Sequence, residues 1–154
     1  MGLLELASGA SVWRGYDYYS ENRVLSAEKV SESEYSGTVS GTRPEPYSVY
    51  IDIFHPKRST CTCPFAEGNR KVCKHKVALY FTVKPEEAER FLTEVEEAER
   101  EEEEYEERIH ALVQQKIQHM KKSELQDALL EILEIGPDWV YDRFVRDFID
   151  IDEW

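Results

Sequence analysis

Glycine and proline are sparse in this chain, 7 and 6 in 154 residues, while 9 Tyr, 6 Phe and 3 Trp are present. That balance excludes a fibrous or fully disordered polypeptide. The length suits one domain, or a small domain with an appendage. Long hydrophobic runs are missing: unbroken apolar stretches last a few residues, far short of the ~20 that cross a bilayer, so no membrane association is expected. The first residues lack the basic flank and apolar run of an export signal. Position 6 is Leu, where a myristoylation pattern needs Ser or Thr, so the expected location is cytoplasmic. Cysteine is scarce, with all 3 between positions 61 and 73. Three cannot pair completely as disulfides, and in a reducing compartment a tight cluster points to metal before bridges. There is also no Ser–His–Asp set, no glycine-rich phosphate loop and no catalytic pair of acids. Neither an enzyme nor a small-molecule substrate is expected.

Charge is what the chain has in abundance, and it is unevenly spread. The formal net charge is −13. Residues 1–84 carry 11 Lys and Arg against 9 Asp and Glu, whereas residues 85–154 carry 8 against 23. Within the first part, Lys57, Arg58, Arg70, Lys71, Lys74 and Lys76 face only Glu67 across residues 57–76, the stretch that holds every cysteine. Such asymmetry separates parts with different partners, or parts that meet each other.

The patterning predicts mixed structure. Trp13, Tyr16 and Tyr19, three residues apart, mark one face of a short helix over 11–21. Segments around 23–31, 35–40 and 47–54 read as strands, the last with Val49, Ile51 and Ile53 alternating to one side. The turn before it is 41–46. The apolar run Val77 to Val83 fits a short helix. Pro85 with Glu86 and Glu87 opens another, since proline suits the first helical position and acids the first turn. Its apolar positions Phe91, Val95, Ala98, Tyr105, Ile109 and Leu112 keep four-three spacing, interrupted at Glu102, and the helix could run to about Lys121. Ser123 and Gln126 form a capping box for a further helix, which Gly136-Pro137 stops. Val140, Phe144 and Phe148 mark a last short helix. The long helix is expected to pair with the helix at 124–135 or 139–149, or with a second chain, an intramolecular bundle being preferred.

The chemistry-bearing string is Cys61-Thr-Cys63-Pro-Phe-Ala-Glu-Gly-Asn-Arg-Lys-Val-Cys73-Lys-His75, a C-x-C-x9-C-x-H pattern. Three thiolates and one imidazole are a standard closed tetrahedral set for structural zinc. Alternate residues of an extended chain face one side, so Cys61 and Cys63 can grip one ion from the end of a hairpin. Residues two apart on a helix face away from each other, so Cys73 and His75 should straddle a helix entry. The nine-residue connector, turning at Gly68-Asn69, joins the pairs. One structural Zn2+ per chain follows. Three thiolates on Zn2+ leave one negative charge, which the surrounding Lys and Arg offset.

This arrangement, with Pro64 after the second cysteine, Lys74 between the last two ligands and Val77-Ala78-Leu79 beyond His75, resembles the SWIM zinc finger. The strand at 47–54 and the stretch Arg14-Gly15-Tyr16-Asp17-Tyr18-Tyr19 are similar to that family as well. The resemblance covers residues 47–83 most strongly, 12–46 more weakly and 123–135 faintly. It implies a ββα zinc-binding unit, with Cys61, Cys63, Cys73 and His75 as ligands. It further implies a DNA-binding or protein-interaction module, found beside helicase-type remodelling ATPases, in transposases and in signalling proteins.

Other groups have plainer readings. His55 is a strand-end surface residue, with an alternate ligand role as the other possibility. His110 and His119 are nine apart and face oppositely on a continuous helix. The stripe Trp13, Tyr16 and Tyr19 is either core or a stacking platform for bases. The six cations from Lys57 to Lys76 are candidate phosphate contacts, or serve solvation and neutralisation of the thiolates. The Glu-rich run 94–107 is a solvated helix face, or a surface for a basic partner.

The expectation is therefore an α+β chain: a SWIM-like zinc-binding domain over 1–84, then an acidic helical region over 85–154. Its expected role is a non-catalytic adaptor that contacts a protein partner, DNA, or both, with a helicase-type ATPase suggested by the resemblance. The alternative is a regulator or inhibitor whose acidic helices mimic nucleic acid or cover a basic partner surface.

Overall fold

The computed structural model describes residues 2–149. The chain divides into two compact units, Met1–Glu97 and Ala98–Trp154.

The first unit is α+β. Helix α1 (Gly9–Ser20) is followed by strands β1 (Val24–Lys29), β2 (Glu34–Val39), β3 (Tyr47–Asp52) and the short β4 (Thr60–Cys61), then helix α2 (Lys74–Val83). The strands form one antiparallel sheet in sequence order, with Gly37 opposite Val49 and Val49 opposite Cys61. The three longer strands fall where the alternating pattern predicts them. Val49 and Ile51 are buried, with Ser48 exposed between the inward residues. A turn of 3-10 helix, Pro56–Arg58, links β3 to β4. Asp52 fastens this corner: its buried carboxylate accepts the N–H groups of Phe54 at 3.1 Å and His55 at 2.9 Å.

Helix α2 is apolar on all sides because it is covered on all sides. Val77, Ala78, Leu79 and Phe81 are fully buried, and the helix packs on both α1 and the sheet. Ser8 caps α1 by accepting the Ser11 N–H at 3.2 Å. The aromatic stripe of α1 proves to be packing. Tyr16 and Tyr19 are half-buried against Phe81, and Trp13 meets Phe91 edge-on at 5.1 Å. Phe91 and the buried Ala88 belong to helix α3 (Pro85–His119), whose first turns thus complete this core.

The second unit holds the rest of α3, helix α4 (Lys122–Ile135) and helix α5 (Asp138–Phe148). Helix α4 starts before the expected box at Ser123. The Glu124 carboxylate reaches back to accept the Lys121 N–H at 2.7 Å, taking the reciprocal capping role two residues earlier. Gly136 ends α4 as expected. The intramolecular bundle does not form: Tyr105, Ile109, Leu112, Val113 and Ile117 stay exposed. Among the described residues no helix is long and apolar enough to cross a membrane.

Candidate metal centre

Four buried side chains converge where β4, the following turn and the start of α2 meet. Cys61 is the last residue of β4, and Cys63 opens the turn, its carbonyl accepting the N–H groups of Ala66 at 3.0 Å and Glu67 at 2.9 Å. Gly68 supplies the one left-handed step, φ 69°, that reverses the chain. Asn69 then clamps the return: its amide donates to the Phe65 carbonyl at 3.0 Å, and its Oδ1 accepts the Lys71 N–H at 2.8 Å. Val72 bridges to Ala7. Cys73 is the N-cap of α2 and His75 lies in its first turn, the straddling arrangement the spacing requires.

The ligand atoms of Cys61, Cys63, Cys73 and His75 all lie within 4.8 Å of one another. His75 Nδ1 is 3.8 Å from Cys61 Sγ. Zn–S of ~2.3 Å and Zn–N of ~2.0 Å in a tetrahedron set ligand–ligand edges of about 3.4–3.8 Å, so small shifts close the set on one ion. None of the three cysteines is in a disulfide. The other imidazole nitrogen, His75 Nε2, is buried with no hydrogen-bond partner, so the ring has nothing but the cysteine cluster to satisfy it. Tyr47 lies against the imidazole with ring centroids 4.6 Å apart, and Tyr18 meets it edge-on at 5.4 Å, fixing its plane.

The three thiols share charge unequally. A hydrogen bond from Cys61, helped by His75 and the Lys76 N–H at the helix start, holds the Cys73 thiol well below its ordinary range. The same bond pushes Cys61 up, and burial pushes Cys63 up. A cysteine at a helix N-terminus whose thiol is held down is suited to meet a cation as thiolate. His55 stands apart from the cluster; its Nδ1 is 3.1 Å from the Asp52 carboxylate and most of its side chain is exposed. His110 and His119 bond within α3, to Gln114 and to the Gln115 carbonyl.

The six cations fall into three groups. Lys57, Arg58, Arg70 and Lys71 are exposed and, among the described residues, take part in no ion pair. Lys74 is half-buried, with its ammonium 4.2 Å over the Tyr18 ring. Lys76 differs from the surface role expected of it. It is fully buried, and its ammonium donates to the Lys71 carbonyl at 2.8 Å. Burial pushes its pKa down, while the negative charge of Cys73, Cys61 and Cys63 pulls it up. In this position it neutralises the thiolates and is not presented to a phosphate.

Beside the metal centre lies a cleft of about 410 Å³, lined by Ser8, Ser11, Arg14, Tyr47, Phe65 and Lys74 together with Cys63, Cys73 and His75. Arg14 and Phe65 were not singled out as contact residues by sequence reasoning. Arg14 is far in sequence from the basic stretch, and only the α1–α2 packing brings it beside Lys74.

Residues 47–84 match the profile of the SWIM zinc finger family. No curated protein and no solved structure matches the chain. The matched segment is the one that brings these four ligands together, so residues 47–84 form a SWIM-type zinc finger segment whose ligand set fits one structural zinc ion.

Proposed function

We propose that this zinc-binding module is a non-catalytic adaptor that joins a protein partner and binds DNA within a DNA-associated complex. The observation that carries the reading is the cleft beside the zinc centre. Two cations, Arg14 and Lys74, line it with the aromatic ring of Phe65, which is exposed. Guanidinium and ammonium groups neutralise phosphates, and an exposed ring offers a stacking surface to an unpaired base. Lys57, Arg58, Arg70 and Lys71 add exposed cations that have no ion-pair partner among the described residues. A closed set of four protein ligands leaves no coordination position for a water, so the zinc staples the fold and supplies no catalyst. The family resemblance adds a helicase-type ATPase as the protein partner to try first.

The test is a titration of the full chain with single-stranded and duplex DNA at several salt concentrations. Affinity should fall linearly on a log–log scale, and Arg14→Ala with Lys74→Ala should flatten that slope by about two. Absence of any salt-dependent binding would reduce the proposal to a protein-only adaptor. A second reading, in which the acidic helices cover a basic surface of a partner, is favoured by the full exposure of residues 99–107. It predicts a partner lost on neutralising those glutamates and kept by the cleft variants.

A further inference from the structure

Helix α3 carries an apolar stripe that no described residue buries. Tyr105, Ile109, Leu112, Val113 and Ile117 recur at three- and four-residue steps, one continuous helical face. Tyr105 is 56% exposed and Leu112 53%. In water such a stripe is covered in the functional state or becomes an aggregation site.

Charge along the same helix says what covers it. Residues 98–107 contain seven Glu and only Arg100 as a base, whereas residues 108–122 contain Arg108, Lys116, Lys121 and Lys122 and no acid. The two interruptions of the stripe repeat the division: Glu102 lies on its acidic side and Lys116 on its basic side. Both are exposed and, among the described residues, neither takes part in an ion pair. A parallel copy would set Glu102 against Glu102 and seven acids against seven. An antiparallel copy sets the acidic run of each helix on the basic run of the other.

We propose that this face is a dimer interface, formed by a second copy of the chain docking antiparallel along α3. The two-fold axis passes at residue 111, the middle of the stripe, so that Tyr105 of each chain packs on Ile117 of the other and Ile109 on Val113. That register sets Glu102 opposite Met120 and brings Lys116 of the other copy within about one helical turn of it. Flanking charge pairs choose orientation in paired helices, and here only the antiparallel choice matches opposite signs. The zinc centre lies outside this segment, so the inference stands or falls separately from nucleic-acid binding.

The zinc-loaded full chain is examined by sedimentation equilibrium, with zero-length carbodiimide cross-linking of the same sample. The expected species is a dimer at tens of micromolar, and Ile109→Asp should raise its dissociation constant on the order of tenfold or more. Residue 109 is on an exposed helix face, so zinc content and helicity of that variant should match the parent. A cross-link between Glu102 and Lys116 must join two chains, because fourteen residues of one helix separate them by about 21 Å. Glu102→Lys and Lys116→Glu should each weaken the dimer, and the double exchange should restore it. A monomer at these concentrations overturns the proposal, as does a dimer indifferent to Ile109→Asp. A dimer without the Glu102–Lys116 cross-link, and without rescue by the double exchange, overturns the antiparallel arrangement.

Discussion

Gly15 of α1 faces Val77 of α2 so closely that a methyl group on Gly15 would overlap the Val77 side chain and meet the Lys74 carbonyl oxygen at 3.0 Å. The contact lets α1 settle onto the start of the helix that carries His75, so packing between α1 and α2 helps to place that ligand. Val77 is fully buried and cannot retreat into solvent. Gly15→Ala should therefore cost stability, about 1–3 kcal/mol as for other overpacked cores. Ala should gain a little from helix propensity in return. Thermal unfolding of the zinc-loaded protein checks this. A variant as stable as the parent would mean that the two helices can separate freely.

Zinc removal should unfold the first unit and not the second. Cys61, Cys63 and Cys73 are core residues as well as ligands, and the segment between β4 and α2 has no regular strand or helix to hold it. Metal-binding energy at such a site is folding energy. Elemental analysis should find one zinc per chain, and Cys73→Ser should lose it. Chelator should abolish near-ultraviolet signals from Tyr47 and Tyr18 while leaving much of the helical signal of α3 to α5. Full metal content in Cys73→Ser would remove Cys73 from the ligand set.

Lys74 and Lys76 are neighbours in sequence with separable roles. The Lys76 ammonium is enclosed, bonded to the Lys71 carbonyl and beside three thiolates. Lys76→Met preserves the apolar stem, strands that carbonyl and removes the compensating charge. It should cost about 1–3 kcal/mol and speed zinc loss to a competing chelator. Lys74→Met should keep zinc as firmly as the parent and weaken DNA binding. Equal zinc retention in both variants would deny Lys76 its neutralising role.

These two lysines also mark where sequence reading succeeds and where it stops. The ligands were legible because metal geometry is imposed by spacing: alternate residues on a strand end and two residues straddling a helix start admit few arrangements. Strand β3 was legible for a similar reason, since Val49 and Ile51 alternate with less buried residues. Lys76 was not, because a lysine is ordinarily at the surface, and only tertiary packing tells that this one is enclosed. Gly15 shows no local signal of its contact with Val77, sixty-two residues away. The apolar face of α3 was legible from its period, but its first part, at Phe91, joins the core of the first unit, and period alone does not say what covers the rest.

Acid should loosen the corner between β3 and β4 through Asp52. Burial disfavours its charged form, but hydrogen bonds from the His55 N–H and imidazole and from Ser33 outweigh that, leaving the pKa below its ordinary value. A depressed carboxylate contributes stability above its unfolded pKa of ~3.9 and loses it as pH falls through the lower folded value. Asp52→Ala leaves the N–H groups of Phe54 and His55 without their acceptor and should cost about 2 kcal/mol near neutrality. The loss should shrink below pH 4, so the two unfolding curves converge in acid. A constant gap across that range would show that the carboxylate acts only by filling space.

The acidic helices should restrain nucleic-acid binding by the finger at low salt and release it at high salt. After Glu97 the chain carries seven Lys and Arg against seventeen Asp and Glu. A polyanion approaching the cations beside the zinc centre meets that field as well as the local attraction. The informative truncation ends at Glu97, because ending at Lys84 would remove Ala88 and Phe91 from the core. Charge is felt over ~30 Å at 0.01 M salt but only ~8 Å at physiological ionic strength, so direct contact is not needed for the effect and salt alone should erase it. Residues 1–97 should therefore bind single-stranded DNA more tightly than the full chain at low salt, with the ratio approaching one as salt rises. Replacing Glu101 to Glu104 by Gln in the full chain should recover part of the difference without altering any contact of the finger. Equal affinities at 0.01 M salt would reject the restraint. A ratio that persists at high salt would indicate direct competition by the glutamates for the cationic cleft.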